Sequence, residues 1–325
     1  MDKKIQLRSI YSEILNEFNE PQEQKFLKRQ EETRRNLITQ IQDLRMKQSG
    51  RATKVISYYA KLDFPIQNEV MINQWDVKSV YSLLSEIPNG SDIELIINTL
   101  GGLPQKTRQI IDFVRAKLGR KNTFRVIVPE IAKSAGTLIC LGADLLTVGE
   151  PSELGPIDPQ IPRYSPGGQV EYISAWTYVN SFEMLQNESK DEKGNLKQEF
   201  YPLLANFDLP FYERCKQALK QIEEDARELL ASGMMKKKKT QSDIDDIASY
   251  FLGGGKPHDS LITGRQIVKK LGRRYVEYLN TSDNLWKLYW ELHCRSFGLL
   301  DKTSIVKFVE YDAGVLTRQV LINPR

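Results

Sequence analysis

Two short stretches of this chain combine residue types able to carry out acyl transfer. The first is NTLGGLP at 98–104, where the apolar run ELIIN gives way to a turn and then to a helical pattern. Two consecutive glycines, Gly101 and Gly102, let the backbone approach a substrate closely and turn its N–H groups into a cleft, with Leu103 completing the supporting loop. Developing negative charge on a substrate oxygen needs such preorganised donors, so Gly102 is a candidate oxyanion-hole residue. The second stretch is PEIAKSAGTLICLGAD at 129–144, where a strand ends at Pro129 and Ser134 lies among Ala132, Ala135 and Gly136 at a helix start. A serine there is a candidate nucleophile beside the N–H of Ala135, a second oxyanion donor. Taken singly, the glycine pair reads as a tight turn and the serine as a helix N-cap.

A serine nucleophile needs a base, and the sequence has two histidines. His293, in YWELHCRSFG, falls in an aromatic helical stretch and reads as a packing residue. His258, in KPHD, is either a base or a surface loop residue, with Asp259 too close along the chain to orient it naturally. Lys133 adjoins Ser134, but consecutive side chains at a helix start diverge, which argues against direct contact. No H-E-x-x-H, Cys/His cluster or G-x-x-x-x-G-K-[ST] occurs, so neither a metal nor another cofactor is expected.

The elements that must position these residues follow from periodicity. VISYY at 55–59, ELIIN at 94–98, FRVIV at 124–128 and LLTV at 145–148 read as strands. Helical patterns lie between them, so the reading is an α/β domain with a largely parallel, buried sheet. Residues 5–47 show a narrow apolar helical stripe, including Leu37, Ile38, Ile41 and Leu44, which must lean on the body or on a second subunit unless the segment is a solvated extension. The expected division is an N-terminal helical arm at 1–50, then a domain at 51–325 interrupted by a helical insertion at about 163–240. Lys236–Lys239 ends that insertion and reads as a solvated helix end rather than a docking patch.

Composition narrows the class further. A net charge of +4 gives no reason to expect nucleic acid or an anionic membrane surface. The three cysteines are widely spaced, as for reduced thiols in a cytoplasmic protein. No signal peptide or transmembrane segment is read from the sequence.

A strand ending in paired glycines, then a helix, a strand, and a serine amid small residues at the next helix start, resembles the ClpP/crotonase superfamily. More closely, the run from Asn98 to Gln160, with KSAGT, LGAD and SELGPIDPQ, is similar to the serine dehydrogenase proteinase (SDH proteinase) family, and the similarity extends from about 52 to about 275. That resemblance implies a repeated ββα spiral, a serine peptidase acting on peptides or proteins, and a homo-oligomer. About two dozen residues after the nucleophile, where ClpP has its histidine, this chain has Asp158, a departure that excludes a ClpP-ordered triad. The resembled family implies the order Ser, Asp, His instead: Ser134 as nucleophile, Asp158 as orienting carboxylate and His258 as general base. By the residues alone Asp158 could equally cap a turn. The competing readings are a crotonase-type acyl-CoA enzyme, with the serine incidental, and a catalytically silent oligomeric scaffold.

Overall fold

The computed structural model describes residues 9–18, 24–119, 121–164, 168–236, 240–252 and 260–321. Two compact units divide the chain: Met1–Leu154 with Ile262–Arg325, and Gly155–Leu261. The first begins with helices α1 (Ile10–Phe18) and α2 (Gln24–Ser49), followed by β1 (Thr53–Ala60), α3 (Gln67–Val70) and α4 (Gln74–Glu86). Next come β2 (Asp92–Asn98), α5 (Pro104–Lys117), β3 (Phe124–Val128), the short β4 (Ile131–Ala132), α6 (Ala135–Leu141), β5 (Leu145–Val148) and β6 (Glu153–Leu154). The inserted unit holds β7 (Gln160–Tyr164), β8 (Val170–Ser174), α7 (Ala175–Glu188), α8 (Tyr201–Ala205), α9 (Leu209–Ser232) and α10 (Gln241–Phe251). The first unit then resumes with β9 (Ile262–Thr263), α11 (Gly264–Leu271), β10 (Val276–Tyr278), α12 (Asn284–Lys302), β11 (Ile305–Tyr311) and β12 (Gly314–Gln319).

In the first unit seven strands form one sheet in the order β10-β5-β3-β2-β1-β11-β12. The run from β10 to β1 is parallel, whereas β11 and β12 are antiparallel additions. A parallel strand covered on both faces has no solvent side, which is why ELIIN is continuously apolar, and every residue of β2 is buried. The stripe on α2 leans on the body: Leu37, Ile38 and Ile41 join Leu285, Tyr289 and Leu292 of α12 over Val55 and Tyr59 of β1. Arg34 of α2 reaches the same core, its Nε 2.8 Å from Glu310 of β11, and both side chains are at most 2% exposed. A second small sheet, β4-β6-β9, lies beyond the C-terminal end of β3 in the chain and pairs the segment just before Ser134 with Glu153 and Leu154.

The inserted unit runs from Gly155 to Leu261, wider than the break in periodicity at 163–240, and it opens with a β-hairpin, β7 against β8, before its helices. The hairpin left little signal because its residues are mostly exposed or half-buried on both faces, so no apolar alternation marks it. Its helices close on an aromatic cluster in which the Phe182 and Phe207 rings stack with centroids 4.0 Å apart. Lys237–Lys239 of the basic run lie outside the described residues. Among the described residues no helix is long and apolar enough to cross a membrane.

Candidate active site

Strand β2 ends at Asn98, and the chain beyond it is zipped onto the segment leading to Ser134. Thr99 N donates to Ile131 O (3.0 Å), Lys133 N donates to Thr99 O (3.0 Å), and Ile131 N donates to Asn98 Oδ1 (3.2 Å). These bonds bring the glycine turn against the serine. Gly101 has φ +104, and a Cβ there would lie 2.6 Å from Lys133 O, 2.8 Å from Ala135 N and 2.9 Å from Ser134 Cβ. Only glycine fits that position, both for its backbone angle and for the space.

The other side of the turn rests on Ile72. Ile72 N donates to Gly101 O and Leu103 N donates to Ile72 O, each at 2.9 Å, as in a one-residue parallel ladder. In such a ladder the N–H of the intervening residue points away from the partner, so Gly102 turns its N–H away from Ile72. A Cβ on Gly102 would meet Ile72 N at 2.2 Å, which makes the second glycine obligatory by contact.

Ser134 has φ 50° and ψ −115°, and among the described residues it alone combines a side chain with positive φ. Gly136 N donates to Lys133 O at 2.7 Å, so Ser134 occupies the first central position of a type II′ turn, a place that normally takes glycine. Holding a serine there costs about 1 to 3 kcal/mol, met by a surround that leaves no alternative. Thr137 supplies part of that surround by donating its hydroxyl to Ala132 O at 2.9 Å, and all of α6 is buried. Ser134 precedes α6 but makes no capping hydrogen bond, so the ordinary reading of a serine at a helix start is not realised. Its side chain is half-buried. Neither Ala135 N nor Gly102 N has a backbone acceptor among the described residues. By contrast Gly101 N is occupied, donating to Thr99 Oγ1 at 3.0 Å. Leu103 carries the loop into α5 and leaves its side chain 43% exposed.

The remaining candidates divide. Lys133 Nζ pairs with Glu153 at 3.0 Å, consistent with its diverging from its serine neighbour. His293 is buried in α12, its ring stacked on Trp290 at 5.1 Å and its Nε2 3.2 Å from Glu130 Oε2. The hydrogen bond from His293, against partial burial, holds the Glu130 carboxyl below its ordinary range. Asp158 belongs to the inserted unit, is 5% exposed, and accepts hydrogen bonds from Gln160 Nε2 (3.1 Å) and Trp176 N (3.3 Å). His258 and Asp259 lie outside the described residues. Sequence reasoning missed Ile72 and Thr99, because nothing in their local pattern says that they clasp the glycine turn.

The fold is thus α/β, built on a parallel-rich sheet, with a strained serine turn set against a glycine turn. A parallel-rich α/β fold of this kind is consistent with the ClpP-like fold. Residues 18–176, just under half of the chain, match the model of the family described as ClpP-like SDH-type serine proteinase, so this segment is similar to serine proteinases at family level. The matched segment contains Gly101, Gly102, Ser134, Ala135 and Asp158 and ends before His258. The chain is 27% identical to uncharacterized protein MJ1495 of Methanocaldococcus jannaschii over 245 residues, 74% of this chain and 72% of that one. It is 39% identical to uncharacterized protein MJ0137 of the same organism over 89 residues, 27% of this chain and 30% of that one. Among solved structures, a serine-to-alanine mutant of the 1510-N membrane-bound stomatin-specific protease aligns at 15% identity and a TM-score of 0.37, over 66% of this chain and 76% of that one.

Proposed function

We propose that this chain hydrolyses peptide bonds through an acyl-enzyme on Ser134, with the N–H groups of Gly102 and Ala135 as the oxyanion donors. The observation that carries the reading is the contact of the Gly101 turn with the strained Ser134 turn, beside two amides without a backbone acceptor among the described residues. A sharp strand-to-helix turn lifts a nucleophilic hydroxyl out of the backbone, and donors fixed in advance need no rearrangement as charge builds on the substrate oxygen.

In this reading His258 removes the Ser134 hydroxyl proton as Oγ attacks the substrate carbonyl carbon. The carbonyl oxygen becomes an oxyanion held by the two N–H groups. The protonated imidazole then delivers its proton to the leaving amine as the C–N bond breaks. Water, deprotonated by the same imidazole, attacks the acyl carbon, and the imidazole returns that proton to Ser134 Oγ as the bond between the acyl carbon and Oγ breaks. Asp158 is assigned to orienting His258 and stabilising its cation.

The test is labelling with a fluorophosphonate probe. Ser134 is expected to be the labelled residue, Ser134→Ala and His258→Ala to lose labelling and peptide cleavage, and His293→Ala to keep both. Cleavage that persists in Ser134→Ala would refute the nucleophile, and labelling that persists in His258→Ala would refute the base. We further propose that copies of the chain associate, which sedimentation at micromolar concentration tests by the absence of a monomer.

A further inference from the structure

A buried ion pair lies on the far side of Ile72 from the glycine turn. Lys307 of β11 and Asp76 of α4 are both 0% exposed, with Nζ 2.8 Å from Asp76 Oδ2. Taking two charges out of water is costly, and their attraction rarely returns more than that cost, so stability alone is a weak reason for such a pair. Its hydrogen bonds point to a different role.

Lys307 Nζ also donates to Met71 O at 2.9 Å. The peptide so anchored leads directly to Ile72, whose N and O are the two contacts that hold Gly101 and Leu103. Asp76 Oδ2 accepts from Asn73 N at 2.6 Å, so the same carboxylate fixes the residue just after Ile72 and starts α4 through a capping box. The three-residue segment 71–73 is therefore pinned at both ends by one ion pair. From the other side Tyr58 Oη is fully buried between Asp76 and Thr99, without a well-formed hydrogen bond to either. Thr99 is the residue whose Oγ1 receives Gly101 N.

We infer that Lys307 and Asp76 are positioning residues for the oxyanion donor: the pair fixes Met71–Asn73, and that segment sets where the Gly102 N–H points. The inference rests on the hydrolase reading given above. Neither residue reaches the reacting atoms; each acts through Ile72. The use of a charged pair follows from the task, since an ammonium supplies several donors at once, here spent on a backbone carbonyl and a carboxylate. A displacement of the donor by about 1 Å is enough to cost about a hundredfold in rate.

The test replaces both partners together, because removing one would strand the other's charge. Asp76→Asn with Lys307→Met keeps an acceptor for Asn73 N and removes the donor to Met71 O. Asp76→Asn with Lys307→Gln is a second, milder variant. Each is expected to lower kcat by about tenfold to a hundredfold with KM within about threefold, and to speed amide exchange at Leu103 while Ile96 stays protected. Arg34→Met with Glu310→Leu, which removes a different buried pair reaching β11, is expected to leave kcat unchanged. In the wild-type protein the Leu103 amide is expected to be protected to the same degree as Ile96, a measurement that needs no variant.

Wild-type kcat in either folded double variant, or unprotected Leu103 in the wild type, overturns the inference while leaving the hydrolase reading intact. A wild-type protein that neither cleaves peptides nor labels at Ser134 removes the hydrolase reading, and this inference with it. An equal loss of kcat in the Arg34/Glu310 variant assigns the effect to general loosening of the fold and overturns the inference.

Discussion

The Cα of Gly101 sits so close to Ser134 that a methyl group on it would lie 2.9 Å from Ser134 Cβ, and closer still to Lys133 O. Two turns that are 33 residues apart in sequence, by subtraction of 101 from 134, thus form a single packed unit. Gly101→Ala is expected to push the turns apart and lower kcat/KM by more than about a hundredfold. Gly90→Ala is the control: Gly90 also has positive φ, but among the described residues nothing lies within 4 Å of its added methyl. That change is expected to cost about 1 kcal/mol of stability and no activity. Equal activities for the two variants would show that the Gly101 contact is irrelevant to the reaction.

The backbone of Ser134 makes a prediction separable from its hydroxyl. Ser134→Gly and Ser134→Ala both delete Oγ, but only glycine is at ease at φ 50°, ψ −115°. The glycine variant is expected to be the more stable of the two by about 1 kcal/mol, the strain relieved being partly offset by the greater freedom of glycine in the unfolded chain. Urea titration measures the difference, and an alanine variant as stable as the glycine one would mean that the turn carries no strain.

Acid stability is expected to respond to Glu277. Burial opposes its ionisation, but hydrogen bonds and charge from Arg45, with further help from Arg125 and Thr147, outweigh burial and hold its carboxyl at about 2, below the ordinary 4.5. A carboxylate with a depressed folded-state pKa contributes stability that is complete above the unfolded value and is lost as pH falls toward the folded one. With the side chain 31% exposed, the contribution is about 1 to 2 kcal/mol. Glu277→Gln is therefore expected to be less stable than wild type at pH 7, with the gap narrowing as pH drops from about 4.5 toward 2. A gap that widens on acidification would reverse the sign of this account.

The three cysteines should be inert in the folded protein. Cys140, Cys215 and Cys294 are free and buried, and desolvation pushes each thiol above its ordinary pKa, Cys294 to about 12. Because the thiolate is the reactive form, an aromatic disulfide reagent is expected to titrate no thiol in the native protein and all three in guanidinium. Fast native-state reaction at any of them would contradict the burial described for these side chains.

Local pattern was enough for β1, β2, β3 and β5 among the parallel strands, though not for the short β10, and for the glycine turn, since an apolar run buried on both faces and a glycine pair after it are both written in adjacent residues. The same is true of the small residues around Ser134. It was not enough for β11, which enters the sheet from the far end of the chain, or for the hairpin β7–β8, whose exposed faces show no alternation. Nor did the narrow stripe of α2 say which surface it would cover, because Ile38 and Ile41 meet partners in α12 that lie some 250 positions away.

What the sequence determined unaided is the chemistry on offer: a serine among small residues, a glycine pair at the end of a buried strand, two histidines and no metal-ligand spacing. Only the folded chain decided that Ser134 adopts a backbone angle proper to glycine, that Gly101 is wedged against it, and that Ile72 is clamped from behind by Lys307 and Asp76. The reason is physical: composition and spacing act over a few residues, whereas strain and buried charge exist only where distant segments leave each other no room to relax.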